Sequence, residues 1–507
     1  MSTGKTDLLT DALAYTARGW SIVPVKFDGS RKRPAVRPAD PAERTQGAAE
    51  CKSGAPVYLY NPDDRRLRRI MEKAPAHLHR YIDHGRWLIH VILWKEIIKD
   101  VDRYGFARLH RDILRQYMCR SETAWREYLE RRGIIETAGY LAGHKSRGYK
   151  LLVGGGTQRW VVANRRLARK ISAFRRSRTP GATDDPELAA VVDRRRFILD
   201  HLDDALERLT LDMASEEVVK QLQASGRIAA AKQKLHATMA CDMISQGQLR
   251  RPWVDSKVHR VHSVVTWTSK EIRSHLRLDG RRLVEVDVRN SQPLVLAAIV
   301  KHLSQPSQQH LPALLQQVGA QHTPAGAGAP FQYLGVLQMW AFTPSEVAHF
   351  QDLAERGRLY EYLGAVSGVG DRDRAKHRFL VDVLFDTPDQ RRPMAQAFLK
   401  SFPSIYGGIV ELKRAAMRDD PWKGHGVLSC LLQRVESIIC IDHAAGQLVR
   451  KHPEIPFLTI HDAVLIPVDG AEKAKRALEG AFLRFGVRAN VECRYPGGSR
   501  AGPAAGR

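Results

Sequence analysis

The sequence predicts an α+β protein of more than one domain, and three observations carry that prediction. Its 507 residues exceed what a single hydrophobic core ordinarily serves. Apolar residues recur mostly at helical spacing, interrupted by a few short β-branched runs. A segment of three helices closed by a basic hairpin stands apart from a longer, helix-rich carboxyl-terminal part. With 43% hydrophobic and 27% charged residues, the chain has the balance of a protein that buries a core, which excludes wholesale disorder. The 80 Lys+Arg against 55 Asp+Glu leave a formal charge of +25, a field that draws in polyanions, so nucleic acid is the expected partner. Cys51, Cys119, Cys241, Cys430, Cys440 and Cys493 show no CxxC pair and no zinc-ligand spacing, so neither a disulfide framework nor a structural zinc is indicated. The first residues lack the build of a secretory signal, and no apolar run reaches the ~18 residues of a membrane span. A soluble, cytoplasmic protein without a membrane partner is expected.

Taken in order, residues 5–36 read as a short helix, an apolar strand (WSIVPV) and a basic stretch. Through Tyr15, Arg18, Gly19, Trp20, Pro24, Lys26, Lys32 and Pro34 this piece resembles the start of a bifunctional primase–polymerase domain. Residues 37–60, rich in Pro, Ala, Gly and Lys/Arg, read as a linker that completes a first segment over 1–60. In the segment 85–155, apolar spacing predicts helices over 87–99, 107–118 and 121–133, with Ser121 as N-cap and Gly133 as C-cap of the third. Strand-like runs follow at 134–143 and 146–154, joined by Gly143, His144 and Lys145. This arrangement resembles a winged helix-turn-helix, which implies Arg126, Arg131, Arg132, Lys145 and Arg147 as DNA contacts. Residues 156–190 read as a basic helical linker, 191–495 as the main domain, and 496–507, rich in Gly, Ala and Arg, as a disordered tail.

Chemistry concentrates in two places where an Asp ends an apolar strand, a costly position for a carboxylate unless it binds something. In LVEVDVRNSQP, Leu283, Val284 and Val286 lead to Asp287, and a helix begins near Pro293. In FLTIHDAVLIPV, His461 and Asp462 form the polar tip of a β-hairpin. Two such carboxylates on neighbouring strands can hold two divalent cations, Mg²⁺ or Mn²⁺, one activating a primer hydroxyl and one steadying a leaving pyrophosphate. Between the two strands, Arg372 and Lys376 lie one turn apart on a predicted helix face, placed to hold the γ- and β-phosphates of a triphosphate.

In this order the segments resemble motifs A, B and C of the family A DNA polymerases and the related phage single-subunit RNA polymerases, over residues 255–490. The resemblance implies a right-hand fold of palm, fingers and thumb with a small antiparallel palm sheet and many helices. It implies Asp287 and Asp462 as catalytic metal ligands, and a primer–template duplex and nucleoside triphosphates as partners, with accessory replication proteins alongside. It matches Arg260, His262, Ser263 and Arg273 to the region before motif A, with Arg260 reading the minor groove. Gln433, Glu436 and His461 would touch nucleic acid. Three departures stand out. Gln292 falls where the glutamate that excludes a 2′-hydroxyl is expected, so Gln292→Glu should tighten selection against ribonucleotides if that residue is the gate. Leu384 or Phe385 replaces the tyrosine that stacks on the nascent pair, Phe385 being the better match. Ala463 stands where DNA polymerases often carry a third acid.

No paired acidic motifs of a proofreading exonuclease precede residue 190, and no GxxxxGK[ST] string marks a helicase motor. The expected activity is template-directed DNA polymerisation in a phage, plasmid or mobile-element setting. The alternatives are an RNA polymerase or primase of the same fold, and a DNA-binding replication regulator with a degenerate palm.

Overall fold

The computed structural model describes residues 57–97, 101, 104–139, 146–154, 156–176, 185–228, 230–247, 251–304, 333–421 and 424–495. The primase-like stretch, Lys145 and the tail fall outside them. The described residues divide into two compact units: those within 1–179, 210–251 and 267–275 belong to the first, and those within 180–209, 252–266 and 276–507 to the second. The single main domain read over 191–495 therefore lends two of its segments to the first unit. Both units mix helices with small antiparallel sheets.

In the first unit, β1 (Tyr58–Asp63) and α1 (Arg65–Glu72) lead to α2 (Ile82–Ile97), which is buried on nearly every side. Then come β2 (Ala107–Leu109), α3 (Arg111–Met118), α4 (Glu122–Arg131), β3 (Ile135–Ala138), β4 (Arg147–Leu151), β5 (Gly156–Val161) and α5 (Arg165–Arg176). Strands β2, β4 and β3 make one sheet in that order. Residues 107–109, read as helix, are extended because Ala107 and Leu109 turn inward while Ala107 pairs with Tyr149 and Leu109 with Arg147. His110 then caps α3 by accepting from the Asp112 amide. Ser121 stands at the N-cap position of α4, as read, but its hydroxyl makes no cap bond; it donates to the Met118 carbonyl at 2.7 Å and lies 2.9 Å from His84 Nδ1. Gly133 ends α4 with φ 63°, the left-handed conformation that favours glycine.

Residues 58–60 and 156–161, read as linker and helix, are strands because they pair with each other, Tyr58 opposite Val161 through Asp63 opposite Gly156. Arg86 packs over the Trp160 ring, and Tyr60 donates through its hydroxyl to Asp242 at 2.6 Å. Asp242 belongs to the helix Ala231–Ser245, whose Ala237 and Cys241 pack with Val218 and Leu222 of the helix Ser215–Ala224. No helix among the described residues is long and apolar enough to cross a membrane.

The second unit is built on one strand. β6 (Leu276–Leu278) turns through Asp279 and Gly280, both at positive φ, into β7 (Arg281–Val288). An Asp-Gly pair suits such a two-residue hairpin turn. β7 feeds α6 (Ser291–Ser304), apolar from Pro293 to Val300 and buried over its first ten residues, with Pro293 in its first turn. Farther on lie α7 (Arg372–Phe379), continued by a π-helical turn over Leu380–Phe385, then α8 (Pro393–Ser401), α9 (Pro403–Asp419) and α10 (Val427–Ser437). The hairpin of β8 (Leu458–Ile460) and β9 (Ala463–Pro467), the helix α11 (Ala471–Arg484) and β10 (Val491–Arg494) close the chain. β7 pairs antiparallel with β9 and with β10, so it runs through the middle of the sheet.

Gly85 tests the packing of the first unit. A Cβ there would meet Trp125 Cδ2 at 2.7 Å, and Trp125 is fully buried with its indole N–H on the Tyr81 carbonyl. Gly85→Ala is expected to destabilise this unit by about 1–3 kcal/mol, the usual cost of overpacking. Urea unfolding followed by tryptophan fluorescence measures it, and an unshifted midpoint would show that Trp125 yields freely.

Candidate active site

Alternation along β7 sorts its side chains. Val284, Val286 and Val288 face the core, whereas Glu285 and Asp287 share the other face. Register then does the assembling: Asp287 lies opposite Ala463 on β9 and opposite Glu492 on β10. The residue before Ala463 is Asp462, at the tip of the β8–β9 turn. That turn has only His461 and Asp462 between the paired residues Ile460 and Ala463, and His461 takes φ 54°. A non-glycine residue in the left-handed region is strained, and such strain gathers at functional turns. The Val288 amide donates to the Asp462 carbonyl at 3.3 Å, tying the tip to β7.

The two carboxyls repel each other in a poorly hydrated place. Burial, then the charge of Asp462, push Asp287 up to about 7. Burial, then Glu436, push Asp462 up to about 6, against a hydrogen bond from the Ser291 hydroxyl at 2.5 Å. Arg494 lies on Asp287 at 2.5 Å and reaches Glu285 at 3.5 Å. Arg289 neutralises Glu492 at 3.0 Å and Glu361 at 3.5 Å.

A second layer is polar and buried. Glu436, on α10, is ion-paired with Arg260 and accepts from the Gln292 side-chain amide at 2.6 Å. Arg260 is delivered by a loop wound around Asp255, whose carboxylate accepts from the amides of Lys257, Val258 and Arg260 at 2.7–3.0 Å and meets His262 at 3.3 Å. Burial opposes ionisation of Asp255, but these bonds hold its carboxyl below the usual range. His262 in turn lies edge-on to His461, ring centroids 5.4 Å apart.

The cations expected to meet a triphosphate flank the same place. Arg372 stands over the Tyr360 ring, donates to the Asn290 side chain at 3.3 Å and pairs with Glu361 at 2.9 Å. Lys376 is exposed and near enough to Asp287 to favour its ionised form. Phe385, at the end of the π-helical turn, is half-buried, and Leu384 beside it is fully buried. Gln433 is half-buried one turn before Glu436. Arg273 belongs to the first unit, as do Arg126 and Arg131. Arg126 is surrounded by Glu122, Glu127 and Glu130 at 3.0–3.7 Å, so its charge is met within α4 rather than left for a phosphate. Arg131 is exposed, its Nε donating to the Glu127 carbonyl.

Several site residues were missed in the sequence. Alternation alone places Glu285 on the face of Asp287. Ser291, Glu492 and Arg494 carry no such signal, because they reach the site through strand pairing and a turn.

Comparison with known proteins adds little. No family model and no curated protein matches the chain. Among solved structures, the POL domain of Pol1 from M. smegmatis, in complex with DNA primer-template and dNTP, is similar at 12% identity and a TM-score of 0.27. The match covers 61% of this chain and 66% of that one. A likeness this distant carries no argument about activity.

Two predictions follow from the geometry. Both carboxyls bind protons more tightly folded than unfolded, where 3.8 applies, so their contribution to stability is full below that value and is lost as pH rises through about 6 to 7. Without divalent cations, the melting temperature should fall between pH 5 and pH 8, Asp287→Asn should flatten that fall, and Mg²⁺ should raise melting chiefly at pH 8. A profile identical in the variant would remove the coupling. Gln292→Glu, instead of giving a clean readout of sugar choice, would set two carboxylates face to face at Glu436. It should cost roughly 1–3 kcal/mol at pH 8, partly recovered in acid, as urea melts would show.

Proposed function

We propose that the second unit is the catalytic domain of a template-directed nucleic-acid polymerase of the family A type, a DNA polymerase. The observation that carries this reading is the register that sets Asp287 against Ala463 and so brings Asp462 beside it. Two half-buried carboxyls with raised proton affinity, one bonded by an arginine and the other by a serine hydroxyl, suit a divalent cation. Mg²⁺ is commonly held by one or two carboxylates with substrate phosphates completing its shell. Two Mg²⁺ or Mn²⁺ ions held by Asp287 and Asp462 would activate the primer hydroxyl and stabilise the departing pyrophosphate.

The chain's own residues do the rest. Lys376 and Arg372 meet the negative charge of the triphosphate, and Tyr360, Asn290 and Glu361 fix the direction of the Arg372 guanidinium. Phe385, at the end of the π-helical turn that continues α7, would be the ring nearest to the stacking role. Arg260, Glu436 and Gln292 brace α6 against α10, which keeps Asp287 in place while substrate comes and goes. In the first unit, the order α2, β2, α3, α4, β3, β4 and the sheet order β2-β4-β3 support a winged helix-turn-helix. Its duplex-facing cations are then Arg131 and Arg132 with Arg147. The +25 charge serves the same polyanionic partner.

The test is extension of a primed template by the full chain with Mg²⁺ or Mn²⁺, with deoxyribonucleotides and ribonucleotides in separate arms. Deoxyribonucleotide incorporation is expected. Asp287→Asn or Asp462→Asn should lower it by at least about 10³-fold with DNA binding retained. Absence of product beside an active control polymerase would sink the proposal. Ribonucleotide incorporation without a primer would move it to a primase of the same fold.

A further inference from the structure

Lys413 is fully buried, an expensive place for an ammonium group. It projects from α9, and its Nζ donates to the carbonyls of Val383 at 2.9 Å and Asp386 at 2.6 Å. Those carbonyls belong to the π-helical turn that continues α7 and to the residue just after it. Helix ends leave carbonyls without partners, and π-turns concentrate where a helix does functional work. A methionine would fill the same space without any charge to desolvate, but it could not serve two carbonyls. Burial draws the Lys413 ammonium down to about 7, the Asp386 carboxylate opposing and Arg392 assisting that fall.

Arg392, the residue that precedes α8, grips the same end from outside. It donates to Asp382 at 3.2 Å and Asp386 at 2.8 Å. At its other end α7 is capped by Asp371, which accepts from the amides of Asp373 and Arg374, and Arg372 ties that first turn to Asn290. The helix is therefore pinned at both ends, with Lys376 between the pins.

We infer that Lys413 is a positioning residue: its ammonium, with Arg392, fixes the carbonyl end of the helix that presents Arg372 and Lys376 and so sets where those cations meet a triphosphate. This rests on the polymerase reading for its substrate. Lys413 itself touches no substrate; its effect passes through the backbone of the π-helical turn.

The experiment uses the full chain and compares Lys413→Met, Lys413→Arg and Arg392→Gln with the unaltered protein. Equilibrium binding of a fluorescent deoxynucleoside triphosphate with Mg²⁺, binding of primed DNA, and KM and kcat for single-nucleotide addition are measured beside thermal melting. Lys413→Met should raise the triphosphate Kd and KM about tenfold and Arg392→Gln about threefold, kcat and DNA affinity changing far less. Lys413→Arg should recover part of the loss. Amide hydrogen exchange over 376–386 should quicken in the same order. Should Lys413→Met fail to fold, Arg392→Gln decides, since that side chain is 31% exposed. Triphosphate affinity unchanged in a folded variant, with only the melting point lowered, would reduce Lys413 to a core residue and overturn the inference while leaving the polymerase reading intact. If the unaltered chain extends primers yet its variants lose kcat and KM in proportion to stability, the inference again falls alone. If the unaltered chain binds no triphosphate, both fall.

Discussion

Two carboxylates forced together against their own repulsion set the terms for everything around them. Asp287 and Asp462 are far apart along the chain, and the antiparallel pairing of β7 with β9 alone makes them neighbours. That pairing has to be strong, because burial and mutual charge both work against keeping them side by side. The sheet supplies the strength. β7 has partners on β9 and β10, its valines face the core, and β9 is buried along its whole length. A one-residue slip would turn every one of those valines outward, so the register that holds the core also holds the site.

The part of this arrangement that could be read from the sequence is the part written in local patterns. An apolar run ending in Asp, followed by turn-forming residues and Pro293, marks β7 and the start of α6. The His461–Asp462 tip between two apolar halves marks the hairpin. The spacing of Arg372 and Lys376 marks a helix face. What could not be read depends on pairing between distant segments. Residues 58–60 and 156–161 look like linker and helix in isolation and become strands only because each supplies the other's hydrogen bonds. Arg494 reaches Asp287 only because β10 folds back beside β7, and Arg126 is enclosed by the acids of its own helix.

The buried polar network also explains a departure that sequence comparison leaves bare. At position 292 an amide is required by its neighbour, since Glu436 accepts from the Gln292 nitrogen on one oxygen while holding Arg260 on the other. Glu436 is almost fully buried, so an unpaired carboxylate oxygen there would be costly. A carboxylate at 292 offers no proton to donate at neutral pH, and an alanine leaves that oxygen without a partner. The identity of residue 292 is thus set by what lies on α10, whatever substrate the site takes.

The same reasoning separates the two kinds of cation in this strongly basic chain. Arg195, Arg260 and Arg434 are each consumed by an acid within the second unit: Asp442, Glu436 and Glu187 respectively. Their charge organises the fold and is cancelled for any distant partner. Lys376 is exposed with no ion pair among the described residues, and its charge is felt at Asp287. The net charge therefore overstates the number of cations offered to a polyanion, and it understates how selectively the free ones are placed. On the polymerase reading proposed above, a lysine beside two carboxyls with raised proton affinity would suit a ligand that brings both cation and anion, as a nucleoside triphosphate carrying divalent metal does.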